Sequence, residues 1–119
     1  MTIYDDAVQR YFTAWNATGT ELAVAVAAAW TEDGSYTDPL TDVRGHGELA
    51  AAISGVHEQF PGFVFRVSGE VDGHHETARF SWELVAPDGS APVAGSDVIT
   101  VDGDGRIRTV LGFLDRVPS

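Results

Sequence analysis

Residues 93–101, Val-Ala-Gly-Ser-Asp-Val-Ile-Thr-Val, and the Asp102-Gly103-Asp104-Gly105 run behind them constrain this chain more than any other stretch. The Asp-Gly-Asp-Gly run is a turn signal between two strand-like segments. Side chains alternate along a strand, so Val93, Gly95, Asp97, Ile99 and Val101 share one face. Asp97 is the only ionisable group in that row. A carboxylate on an apolar sheet face must be paired or hydrogen-bonded, or its pKa rises. The rest of the chain reads as a container built around that face.

The 119 residues suit one domain with one core, spanning 1–119. The charge balance is acidic, seven basic residues against eighteen acidic ones, which argues against nucleic acid and against anionic membranes. Without cysteine, disulfides and thiolate catalysis are excluded. The N-terminus, Met1-Thr2-Ile3-Tyr4-Asp5-Asp6, has neither a basic region nor an apolar run, and Leu22 to Trp30 is too short to span a bilayer. The expectation is a cytoplasmic protein.

Tyr4, Val8, Tyr11 and Trp15 fall on one helical stripe. Asn16-Ala17-Thr18-Gly19 breaks that helix, and Thr20 is placed to cap a second one through Leu22, Val26, Ala29 and Trp30, ended by Glu32-Asp33-Gly34. Ser35-Tyr36-Thr37-Asp38-Pro39 reads as a short extended segment, because Pro39 biases Asp38 away from helical angles. A polar loop with Arg44, Gly45, His46 and Gly47 leads to a third helix carrying Leu49, Ile53, Val56 and Phe60. From Phe63 the period becomes two. Strands around 63–71, 78–84, 93–101 and 106–114 are separated by Asp72-Gly73-His74-His75, Pro87-Asp88-Gly89-Ser90 and the Asp-Gly-Asp-Gly turn. Three helices followed by an antiparallel meander make an α+β layer arrangement. Helices curling over a twisted sheet leave a cone with one open end, and Trp15, Trp30, Tyr36, Phe80, Trp82 and Phe113 are candidates to line it as ligand-binding residues.

The order of elements, with Tyr36-Thr37-Asp38-Pro39 before the third helix and Gly95-Ser96-Asp97-Val98 before Gly105-Arg106-Ile107, resembles the nuclear transport factor 2-like superfamily. Within it the chain looks most like SnoaL-like polyketide cyclases and ketosteroid isomerases. The resemblance implies a cystatin-like α+β barrel, with three helices on a strongly curved, mainly antiparallel sheet and a cone-shaped pocket. It also implies Asp38 as a general base and Asp97, nine residues ahead of Arg106, as a neutral acid or an acid/base of its own. Tyr11, in Arg10-Tyr11, matches the oxyanion donor. It further implies a homodimer through the outer sheet face, where Val64, Val85 and Val98 stand among polar residues.

Each candidate has a plainer alternative. Asp38 can turn the chain before Pro39 by bonding nearby N–H groups. Asp97 can bond a tryptophan N–H, or pair with Arg79 if that side chain points inward. An inward Arg79–Asp97 pair would favour epoxide hydrolase-like chemistry. Tyr11 and Tyr36 can simply pack. His74 and His75 are adjacent on the chain and so face opposite ways, which argues against a shared metal, and His46 and His57 read as loop and helix-face residues. The expectation is a small-molecule-binding protein, taking an apolar or polyketide-like carbonyl compound and acting as a cofactor-independent, metal-free isomerase or cyclase. The alternative is a non-catalytic ligand-binding or dimerisation module of the same fold.

Overall fold

The structure, a computed structural model, describes residues 2–118. Helix α1 (Ile3–Trp15) opens on a capping box: Thr2 accepts from the Asp5 amide while the Asp5 carboxylate accepts from the Thr2 amide. It buries Ala7, Val8, Tyr11, Ala14 and Trp15. Helix α2 (Thr20–Ala29) follows, with Gly19 rather than Thr20 at its cap position. Its last carbonyls are met from outside the helix. Arg10 donates to Ala28 O (3.1 Å) and to Gly105 O (3.0 Å), so it ties α2 to the final hairpin.

Trp30 does not continue α2. Strand β1 (Trp30–Thr37) begins there and absorbs Glu32-Asp33-Gly34, which the sequence reading takes as a helix stop. Strand β2 (Asp42–Arg44) occupies part of the expected polar loop, and α3 (His46–Gln59) buries Leu49 and Ile53. The remaining strands are β3 (Val64–His74), β4 (Thr77–Val85), β5 (Val93–Val101) and β6 (Ile107–Arg116). The Asp72–His75 run lies mostly within β3, and the chain turns instead at His75 and Glu76.

The six strands form one curved open sheet in the order β2-β1-β6-β5-β4-β3. The meander from β3 to β6 is antiparallel throughout, whereas β1 and β6 run parallel. Strand β6 therefore lies between β1 and β5. Burial alternates along β4 and β5, so Phe80, Trp82 and Leu84 share the covered face with Val93, Asp97, Ile99 and Val101. The helices lie on that face. Arg79 belongs to the opposite one, where it meets Asp72 at 3.2 Å in solvent. Among the described residues no helix is long and apolar enough to cross a membrane.

Candidate active site

The open end of the cone is a cavity of about 370 Å³, within the range of small-molecule sites. Its walls come from α1 (Tyr11, Phe12, Trp15), β1 (Tyr36), β3 (Phe65) and β4 (Trp82, Leu84). Asp38 also reaches it from the end of β1. Leu40, Gln59, Val117 and Pro118 stand among the residues around it. A wider concavity of about 970 Å³ lies between α1, α2 and β3, but its ionisable residues, Asp5 and Glu21, are not buried. The carboxyl groups of Asp38 and, behind Tyr11, Asp97 lie at the smaller cavity.

Asp97 is the one buried charged residue among those described, 1% exposed. Its strand register places Phe80 on one side and Gly112 on the other. The Tyr11 hydroxyl donates to Oδ2 across 2.7 Å, while Oδ1 is buried without a hydrogen-bond partner in the protein. Burial pushes the carboxyl up to about 6, the hydrogen bond from Tyr11 pulls against that, and the charge of Asp38 adds to the rise. Asp97 is absent from the cavity wall and reaches the ligand space through Tyr11, which lines it. Tyr11 is in turn gripped by rings: Phe12, Trp30 and Phe80 lie 5.2–5.4 Å away, centre to centre.

Asp38 makes the turn expected before Pro39 and also faces the cavity. Its amide donates to Thr41 O (2.8 Å), and its Oδ1 accepts from the Leu40 amide (2.8 Å). Its Oδ2 accepts from the Tyr36 hydroxyl at 2.6 Å. A carboxylate offers about four lone-pair positions, so capacity to accept a proton remains.

Two glycines make room for this arrangement. A Cβ on Gly112 would stand 2.8 Å from Asp97 Oδ1 and 3.3 Å from Asp38 Cβ, so the two acidic side chains flank one missing methyl. A Cβ on Gly95 would run into the Trp82 indole and come within 2.6 Å of Phe113 O, so the indole can approach that strand only because residue 95 lacks a side chain.

The SnoaL-like domain family matches residues 8–110 of this chain. The chain belongs to the SnoaL-like family. It is 40% identical to a SnoaL-like family protein of Agrobacterium tumefaciens that carries the provisional name of an isomerase. That structure superposes with a TM-score of 0.90 and the match covers 97% of this chain and 99% of the other. A SnoaL-like protein of Jannaschia, provisionally called a polyketide cyclase, shares the fold at 19% identity (TM-score 0.75, covering 95% and 85%). A Methylobium petroleophilum protein described by its cystatin-like fold does so at 14% (TM-score 0.76, covering 98% and 78%). No curated protein matches the chain.

Within this SnoaL-like domain, Tyr11, Trp15, Tyr36, Asp38 and Trp82 converge on the cavity, with Asp97 behind them. Three aromatic candidates do not. Trp30 is fully enclosed and packs on Tyr11, so it is core. Phe80 is buried beside Asp97 and packs on Tyr11 and Phe12. Phe113 is 61% exposed on the outer face, opposite Ser96. His57 Nε2 donates to Trp15 O (2.6 Å) and His46 Nε2 to Thr31 O (2.8 Å), so both tie backbone ends together. Among the described residues no group of three or more His, Cys, Asp or Glu could hold a metal. Arg79, turned outward, makes no pair with Asp97. The rim residues Leu40, Gln59, Val117 and Pro118 carried no signal in the sequence beyond their apolar or polar type.

Proposed function

We propose that this protein binds a small apolar carbonyl compound in the cavity and moves a proton on it, as an isomerase or cyclase needing no cofactor. Asp38 takes a proton from the carbon beside the carbonyl, leaving the electron pair as an enolate. Tyr11, backed by Asp97, donates to the enolate oxygen. When Asp97 is neutral it can give its own proton to Tyr11 Oη, which frees the Tyr11 proton for the ligand. Return of the proton from Asp38 to a conjugated carbon gives the isomer. Attack of the enolate carbon on a second carbonyl of the same ligand closes a ring, and the alkoxide this leaves takes the proton back from Asp38. The observation that supports this reading is a pair of carboxyl groups in unlike surroundings, one deeply buried behind a tyrosine and one lining the same cavity.

A second reading, ligand binding without turnover, draws on the fact that both Asp38 oxygens already accept a hydrogen bond. Deuterium exchange separates the two. With 2-tetralone in D2O, proton NMR should show faster loss of the α-proton signals in the presence of the protein than in buffer alone, and no acceleration with Asp38→Asn. Binding without exchange in the wild type overturns the catalytic reading.

We also propose a homodimer through the outer sheet face, where Val98, Leu111 and Phe113 lie together across β5 and β6. A monomer by light scattering at micromolar concentration overturns that part.

A further inference from the structure

We infer that Tyr36 is the positioning residue for Asp38, the group that holds the proposed base on its target. The inference rests on the function proposed above. It starts from an asymmetry in how the two residues are anchored. Tyr36 sits inside β1, with its backbone paired to Val43 on one side and Val110 on the other. Its side chain is 4% exposed, and its ring packs 5.2 Å from that of Trp15. Asp38 lies past the end of β1, on a turn whose tip, Leu40, is 83% exposed.

The carboxylate has two hydrogen-bonding anchors. The Leu40 amide belongs to the same exposed turn as Asp38 and so gives it no tie to the core. The Tyr36 hydroxyl, at 2.6 Å, is the one that connects the carboxylate to the packed core. Residues two apart on a strand share a face, so this bond is built into the Tyr-Thr-Asp spacing. Burial pushes the Tyr36 hydroxyl far above the usual phenol range, so it remains a donor at any working pH. A base that turns away from its carbon loses rate steeply, because proton transfer needs near-contact geometry.

Tyr36→Phe removes the hydroxyl and keeps the ring. Two measurements on it, with Tyr11→Phe beside it as a second hydroxyl deletion, test the inference. The first needs no ligand. In the wild type, three-bond couplings between Hα and the two Hβ of Asp38 should match one staggered rotamer. They should shift to rotamer-averaged values in Tyr36→Phe and keep the wild-type pattern in Tyr11→Phe. The second is exchange of 2-tetralone α-protons: kcat should fall roughly ten- to hundredfold in Tyr36→Phe, with KM changed less than about twofold. Couplings that keep the wild-type pattern in Tyr36→Phe overturn the inference whatever the activity. A raised KM with kcat intact also overturns it, since Tyr36 would then be a ligand contact. Averaged couplings in a protein whose wild type exchanges nothing uphold the hold of Tyr36 on Asp38 and sink the catalytic reading instead.

Discussion

Tyr11 on the first helix donates its hydroxyl to Asp97 on the fifth strand at 2.7 Å, across 86 positions of sequence. This bond gives the buried carboxyl group one partner, and its Oδ1 has none in the protein. Tyr11→Phe leaves Oδ2 unsatisfied as well, at a cost of about 1–3 kcal/mol. The bond also favours the charged carboxylate, so without it Asp97 should titrate above about 6. Urea unfolding and carbon-13 NMR of the labelled aspartate check the two effects separately.

Stability should carry the signature of Asp97. The folded chain holds this proton up to about pH 6, whereas the ordinary aspartate value is 3.8. Between those limits the folded state binds more protons than the unfolded state, so the contribution of Asp97 weakens as pH rises through that window. The total is about 3 kcal/mol. Asp97→Asn lacks this slope. Its stability relative to wild type should therefore improve by about 2–3 kcal/mol between about pH 4 and about pH 7.5. Equal slopes in denaturant unfolding series of the two proteins would show that Asp97 is not held neutral.

Exchange activity should follow the same group. If a neutral Asp97 behind Tyr11 supplies the proton, the rate with 2-tetralone should decline as pH rises through about 6. The uncatalysed exchange is subtracted at each pH. Asp97→Asn, which has no proton to lose there, should show a lower rate with no such decline.

Gly112 separates the two acids. Gly112→Ala brings a methyl within 2.8 Å of Asp97 Oδ1 and 3.3 Å of Asp38 Cβ. The expected cost is about 1–3 kcal/mol, with at least a roughly tenfold loss of exchange as the acids are displaced. Gly103→Ala meets nothing within 4 Å and should stay within about 0.5 kcal/mol of wild type. Thermal unfolding and the exchange assay on both variants provide the comparison.

Much of this architecture was legible in local pattern. The alternation that put Asp97 on an apolar face holds along the whole of β5, and the same rule turned Arg79 outward. Tyr11, Tyr36 and Asp38 line the same cavity, though they come from separate parts of the chain. Where local pattern failed, a distant partner had decided. The alanine-rich run of α2 favours a helix through Trp30, but Trp30 pairs with Ile107 in a parallel register that no local signal announces. Phe113 was lost to an irregularity. The register of β5 and β6 shifts between Thr100 and Val101, so Ile107 and Val110 both face inward and the inward row continues through Gly112. Phe113 falls on the other side. Trp30 and Phe80 show a different limit, since an aromatic side chain serves a core and a pocket wall equally well.

The place of β6 between β1 and β5 also means that the two halves of the sheet meet only through it. Strand β1, which leads into Asp38, and β5, which carries Asp97, reach their final spacing only when β6 pairs with both. This closure joins the two most sequence-distant halves of the sheet, and contacts of that kind are slow to form. The cavity wall that Asp38 joins should thus be complete only once β6 has paired on both sides.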